Sequence, residues 1–397
     1  MDLKMLEKGL LPYEKKLRAQ ETFRRLIGVK EVEKPTYERY ITGNFERFER
    51  EKNPVQLCLP TNPLGKELRE RITKNTKTES FYARLPYSAL EPMDRIGQSL
   101  DGASFRWGVS FHPDTLPVTP PEGRFPVDDK EWMARLIKKV ALFYGAEMVR
   151  ITRLDQRWVY KDVDIKHQYA IVVVVSHVSS MLNTAPSHLG ATATANTYSR
   201  LKFITTQLAD FICNLGYDAA YRETLGMAPD ILMVPLAIDA GVGEFARTGN
   251  CMSPELGVNM RMKAVTTDMP LEIDKPISFG VHDFCMACEN CADYCPAGAI
   301  PHGAPTDKIV DIYNNPGFSK WYTNAEKCFN FWAFDKTKWS SCSGMCLAVC
   351  PWVKEVNAFH NAVRWLAIHS PEAVKKMLVW GDRKAYGRKK WHKDQVS

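Results

Sequence analysis

Hydrophobic and polar residues repeat along this chain with two periods, and the switch between them marks out its elements. In DDKEWMARLIKKVALFYGA (residues 128–146) apolar positions recur every three or four places, as at Met133, Leu136, Ile137, Val140 and Ala141. That spacing predicts an amphipathic helix. AIVVVV (170–175) is instead a continuous β-branched run that stops at Ser176 and His177. It is far short of the roughly 20 apolar residues of a membrane helix, and it reads as a buried strand. TYSRLKFITTQLADFICNLG (197–216) returns to the helical period and ends on Gly216, a residue suited to a C-cap. ILMVPLAI (231–238) reads as a further strand. Helix-like and strand-like segments thus alternate between residues 111 and 275, which predicts an α/β or α+β core.

The flanks differ in character. Residues 1–110 are charged and broken by proline, with short helical patterns and aromatic residues such as Phe45 and Phe48. They read as a wrapping segment. Residues 276–355 hold most of the cysteines, and residues 356–397 begin as a Trp-rich helical stretch, NAVRWLAIH, and end in a tail. A chain of 397 residues can bury a large core in two or three units. With 45% hydrophobic and 25% charged residues it has the balance of a globular protein.

The 11 cysteines lie at 58, 213, 251, 285, 288, 291, 295, 328, 342, 346 and 350. Disulfide staples serve small secreted domains, which this chain is too long to need, and zinc sites pair two CxxC knuckles across a longer loop. FCMACENCADYCPAG has the spacing C-x2-C-x2-C-x3-C-P instead, that of a [4Fe–4S] ferredoxin loop. A second run, Cys328, Cys342, Cys346 and Cys350 with Pro351, repeats the C-x3-C-P ending. In two-cluster ferredoxins the last cysteine of each run crosses to the other cluster. The rule predicts Cys285, Cys288, Cys291 and Cys350 on one cubane, and Cys295, Cys328, Cys342 and Cys346 on the other. Three residues, SGM, separate Cys342 from Cys346 where two are usual, and Gly344 can absorb the extra one. Cys58, Cys213 and Cys251 are isolated, and Cys213 reads as a small core residue.

Charge adds little. The net charge of +7 is mild and mixed in sign, so nucleic acid is not indicated. Only RKAYGRKKWHKD (383–394) is locally basic; it reads as a solvated end, with an anionic membrane surface or an acidic partner as the alternative. The N-terminus has no signal-peptide core, and the twin arginine Arg24–Arg25 lacks the apolar stretch that an export signal places after it. Gly241, Gly243 and Ala246 match a dinucleotide fingerprint with Asp268 downstream, yet Pro235 interrupts the preceding strand and no long helix follows. These glycines read as a turn packed against a cofactor or a helix. The cobalt-ligating signature D-x-H-x-x-G is absent.

PLAIDAGVGEFARTG (235–249), PELGVNMRM (254–262), TTDMPLEIDKPISFGVHDFCMACENCADYCPAGAI (266–300), KWYTNAEKCFNFW (320–332), CLAVCPW (346–352) and LGYDA (215–219) together resemble the corrinoid-dependent reductive dehalogenases. The resemblance covers most of residues 195–355 and reaches the first hundred mainly through YERYITGNFERFERE. It implies an α+β protein, with a nitroreductase-like α/β core at 111–275 that binds a base-off cobalamin and a ferredoxin-like unit at 276–355 with two [4Fe–4S] clusters. It implies reductive removal of halogen from small chlorinated alkanes or alkenes, as the terminal step of anaerobic organohalide respiration. Its proton donor, a tyrosine beside a cation, falls on Tyr198 and Arg261. Glu244 and Arg247 either brace that pocket or form a structural salt bridge. No asparagine lies between Gly226 and Pro235, where some members have a third pocket residue, which suggests a more apolar pocket. The resemblance further implies a small membrane-anchor protein, a quinol-linked electron donor and a peripheral place on the outer face of the cytoplasmic membrane. Export would follow the twin-arginine route with the leader removed, and a homodimer is compatible with it. Two other readings compete. An epoxyqueuosine reductase-like enzyme shares the cofactors but acts on tRNA, where a broad basic face is expected. A ferredoxin-like electron carrier has no use for the roughly 280 residues ahead of the clusters.

Overall fold

The computed structural model describes residues 3–43, 45–53, 62–67, 69–70, 123–221, 230–334 and 344–387. The chain opens with helices α1 (Leu3–Gly9) and α2 (Leu11–Ile27) and a short strand β1 (Lys30–Glu31). Then come α3 (Lys130–Phe143), β2 (Met148–Arg153), β3 (Tyr169–Ser176), α4 (Ser179–Leu182), α5 (His188–Asn214) and β4 (Ala219–Tyr221). The middle holds α6 (Met233–Asp239), β5 (Glu244–Phe245), β6 (Cys251–Met252), β7 (Met260–Thr267) and β8 (Ile277–Ser278). Six helices close it: α7 (Val281–Cys288), α8 (Asn290–Asp293), α9 (Ala325–Phe334), α10 (Met345–Ala348), α11 (Ala358–His369) and α12 (Glu372–Tyr386).

The main sheet has the order β2-β3-β7-β4, and every neighbouring pair is antiparallel. It is therefore the sheet of an α+β fold, without the parallel crossover of a dinucleotide-binding unit. The continuous apolar run of β3 follows from its central place. Ile171, Val173 and Val175 face a core built with α3 and α5. Ala170, Val172 and Val174 face a second core built with α6 and Trp158. A strand covered on both faces loses polar alternation, because each side of its pleat is buried.

Helix α3 matches its predicted span, and Asp129 caps it by accepting from the Trp132 amide at 2.9 Å. Helix α5 starts well before Thr197, at His188, with Ser187 as its N-cap. Its first turns, HLGATATAN, are mostly small and, Leu189 and Asn196 apart, buried, so they carry no apolar stripe for a periodicity reading to find.

One expectation is corrected. ILMVPLAI is not a strand: Met233–Asp239 is helical. A short apolar run cannot by itself separate a buried helix from a buried strand. Pro235 sits in the first turn, where an amide has no intrahelical partner to lose. The glycines behind this helix lie against backbone. A methyl group on Gly241 would lie 2.1 Å from the Lys275 carbonyl oxygen, and one on Gly243 would lie 1.8 Å from that of Met252. The twin arginine is structural as well. Arg24 is buried, pairs with Glu255 at 2.6 Å and donates to the Gly241 carbonyl at 2.7 Å, which fastens α2 to this turn.

Two glycine substitutions separate close packing from helix propensity. Gly243→Ala is expected to destabilise the protein by about 2–3 kcal/mol, since the Met252 backbone cannot yield without distortion. Gly381→Ala, in α12 with open space around it, is expected to gain about 0.5–1 kcal/mol. Thermal melts of the two variants under anaerobic conditions check both signs.

Candidate functional site

Helix α7 delivers the first two cysteines, and buried charges hold it in place. The Glu244 carboxylate, 4% exposed, accepts from the amides of Phe279 at 2.6 Å and Val281 at 3.3 Å, at the N-terminus of α7. An anion is favoured at such an end, while burial pushes its carboxyl pKa upward. Arg247, 1% exposed, stacks over Trp321 at 4.6 Å and donates to the carbonyls of Cys285 at 3.0 Å and Pro301 at 2.8 Å. These two residues therefore anchor the cysteine unit rather than each other. Between Cys288 and Cys291 the chain turns at Glu289, which holds a left-handed φ of 53°, a conformation that costs a non-glycine residue about 1–2 kcal/mol.

A second arginine escaped the sequence reading. Arg383 is not part of a solvated end: it donates to Asn290 Oδ1 at 2.6 Å and to the Cys288 carbonyl at 3.1 Å. Its only sequence signal was a place at the end of an amphipathic helix, which says nothing of a partner 95 residues away. Two guanidinium groups thus grip consecutive cysteine carbonyls.

Cys285, Cys288, Cys291 and Cys350 line one small cavity. Burial pushes the thiol pKa of Cys285 up to about 11 and that of Cys350 up to about 12. Cys288 and Cys291 are driven well above the ordinary thiol range by burial and then by the neighbouring sulfurs. Four crowded thiols of this kind need cationic charge to be held as thiolates. Among the described residues no three His, Cys, Asp or Glu side chains gather closely enough for a single metal ion. Sulfurs that share a cavity but not one ion fit a polynuclear cluster. In the second set, Cys295 Sγ accepts from the Ala299 amide at 3.3 Å. Cys328 lies on α9, Cys346 lies on α10, and Cys346 is near enough to Cys291 to raise its pKa. Cys342 lies outside the described residues, as do Cys58 and residues 226–229, the first part of the Gly226–Pro235 stretch that lacks an asparagine.

Tyr198 is on α5, and Arg261 is near the start of β7, opposite Val175. The Arg261 guanidinium lies over the Tyr198 ring at 4.6 Å. It covers the face of the ring, a cation–π arrangement. Behind them stands His177, which the sequence reading passed over as the end of a strand. Asn259 donates its amide to the His177 carbonyl and to Ser179 Oγ, which leaves its oxygen for ring Nδ1 at 3.0 Å. Nδ1 therefore carries the hydrogen and Nε2 the lone pair. Burial, with help from Arg261, pushes the His177 pKa down to about 3, so the ring is neutral at ordinary pH. Arg261 Nε, His177 Nε2 and Thr194 Oγ1 are three of the twelve side-chain polar atoms that are buried without a hydrogen-bond partner among the described residues. Thr194 sits one helical turn before Tyr198. Native proteins rarely strand polar atoms in this way, and those of Arg261 and His177, which lie near enough for Arg261 to lower the His177 pKa, fit a polar ligand.

No protein-family model matches the chain. It is 30% identical over 316 residues to the tetrachloroethene reductive dehalogenase of Sulfurospirillum multivorans, a match covering 70% of this chain and 61% of that protein. The chain thus spans about three fifths of that relative. It is 32% identical over 103 residues, 26% of its length, to the epoxyqueuosine reductase of Shewanella oneidensis. A solved reductive dehalogenase structure, described as suggesting a mechanism for B12-dependent dehalogenation, superimposes with a TM-score of 0.70 at 22% identity. That superposition covers 91% of this chain and 49% of the other, and it shows a shared α+β fold.

The shared cavity gives a direct expectation. Cys350→Ser is expected to reduce iron by about four atoms per chain after anaerobic reconstitution, one cubane's worth. Cys213→Ser, at a buried position in the last turn of α5, is expected to keep the full content. Colorimetric iron analysis of both variants checks the assignment.

Proposed function

Since this chain belongs to the reductive dehalogenase family, we propose that it replaces the halogen of a small organohalide by hydrogen, using two electrons and one proton and releasing halide. Chlorinated alkanes or alkenes are the proposed substrates, supported by the name of the tetrachloroethene-reducing relative. Cys285, Cys288, Cys291 and Cys350 would hold one [4Fe–4S] cluster, and Cys295, Cys328, Cys342 and Cys346 the other. When bound, a base-off corrinoid brings a reducing, nucleophilic cobalt to the carbon–halogen bond, and the clusters bring its electrons.

The observation that carries this reading is the reach of α5. Its Ala193 packs in one core with Cys285, Cys288 and Cys350. Tyr198 follows five residues later, about 7.5 Å along the helix axis. One rigid helix thus sets the distance between the cysteine unit and the acid. Tyr198 Oη delivers the proton, and the Arg261 guanidinium offsets the negative charge left on the phenol. Arg261 Nε and Thr194 Oγ1 are donors available to the ligand, and neutral His177 Nε2 is an acceptor.

We assign the corrinoid to a nitroreductase-like core at residues 111–275 and the clusters to residues 276–355. We likewise assign residues 1–110 as a wrapping segment and residues 356–397 as a C-terminal helical segment and tail, of which 71–110 and 388–397 lie outside the described residues. The proposed setting is the outer face of the cytoplasmic membrane, with a small anchor protein and a quinol-linked donor as terminal partners in respiration. No helix among the described residues is long and apolar enough to cross a membrane.

Tyr198→Phe is expected to lower halide release with reduced viologen by at least about a hundredfold, the scale of a lost proton donor. Its iron and corrinoid contents should stay at those of the native sequence. Near-normal turnover would remove Tyr198 from the mechanism, and a chain that takes up no corrinoid would remove the proposed function itself.

A further inference from the structure

On the α6 side of the main sheet lies a cavity of about 450 Å3 whose lining includes Tyr37, Trp158, Phe245, Phe318, Lys320 and Tyr322. Its walls are mainly aromatic and aliphatic, with amide and hydroxyl side chains such as Asn53, Asn314 and Thr323 and one lysine among them. Lys320 Nζ stands 4.8 Å from the ring centre of Tyr322, 5.7 Å from that of Phe318 and 5.8 Å from that of Phe245. No carboxylate among the described residues forms an ion pair with it. The nearby acid, Asp239, is engaged elsewhere, accepting from Tyr37 Oη and Trp158 Nε1. None of these residues belongs to the Tyr198 site. The cavity does adjoin the cysteine unit: Trp321 and Thr248 line it, Arg247 stacks on Trp321, and Thr248 also lines the cavity of the four thiols.

The geometry points to a binding site in this cavity for a planar ring joined to a single anionic group, with Lys320 as the counter-charge. The aromatic walls suit a flat apolar body, which gains by stacking and by leaving water. An ammonium in an apolar setting is costly until an anion meets it, and the pair then forms charge-assisted hydrogen bonds. Burial pulls the Lys320 pKa down to about 8, so at neutral pH the group still carries its charge. Two sources offer this chemistry. One is the nucleotide arm of a corrinoid, a planar base tethered to a phosphate. The other is a free aromatic carboxylate. The first source rests on the proposed function, and the second does not.

Calorimetry on the full chain, loaded with iron and sulfide, separates them. One arm titrates cobalamin against cobinamide, which has the same macrocycle without phosphate and base. The other titrates naphthoate against naphthamide, its neutral counterpart. In at least one arm the native sequence is expected to prefer the anionic probe by about tenfold or more, the scale of one charge-assisted contact. Lys320→Met should erase that preference and leave the affinity for the neutral probe unchanged, and Lys320→Arg should retain it. A response in the first arm identifies the corrinoid's nucleotide as the occupant, and a response confined to the second identifies a free aromatic anion. Equal binding of anionic and neutral probes in both arms of the native sequence, or a preference that survives Lys320→Met, would overturn the proposal.

Discussion

Crowding four sulfurs in a dry cavity is the constraint on which the rest of this structure depends. A buried thiolate is unfavourable alone and more so beside another, and the fold supplies compensation from several directions. Arg247 and Arg383 bring positive charge to the carbonyls of Cys285 and Cys288. Glu244 fixes the amides ahead of α7, so the helix carrying two of the cysteines cannot drift. Cys350 arrives from the far end of the cysteine-rich segment, and Asn290 donates to the adjacent Val349 carbonyl at 3.4 Å. The groups that hold the sulfurs thus come from β5, its following turn, α8 and α12. This is why a motif eleven residues long draws on 140 residues of chain.

The same logic extends outward along α5. Its first half is small and buried, so it can pack against the cysteine unit, while its second half is amphipathic and lies on the main sheet. Tyr198 stands where the two regimes meet. The β3–β7 register then sets Arg261 opposite Val175, on the sheet face that α5 covers. A one-residue slip would turn Arg261 to the other face, so strand pairing and helix packing together decide whether the two side chains meet.

Local periodicity made part of this legible. The runs at α3 and β3 were readable because one repeats at the helical period and the other has none, each being what its burial requires. The cysteine spacing grouped Cys285, Cys288, Cys291 and Cys350, and the structure brings these four to one cavity. ILMVPLAI reads either way, since seven apolar residues around a proline suit a strand end or a first helical turn equally well. The roles of Arg24, Arg383 and His177 were hidden for another reason: each is defined by a distant partner, Glu255, Cys288 and Asn259 respectively. A charged residue near a terminus or a histidine after a strand gives no local sign of such contacts. Lys320 opens the stretch KWYTNAEKCFNFW, yet only its aromatic surroundings distinguish it from a surface lysine.

The central claim is that the crowded thiols hold two iron–sulfur clusters near enough to act as one relay. Electron paramagnetic resonance of the anaerobically purified, reduced chain tests it most directly. The account predicts signals from two reduced [4Fe–4S] centres, broadened by magnetic interaction because Cys291 and Cys346 bring the two sets together. A single isolated centre, or a chain that binds zinc and gives no iron signal, would contradict it.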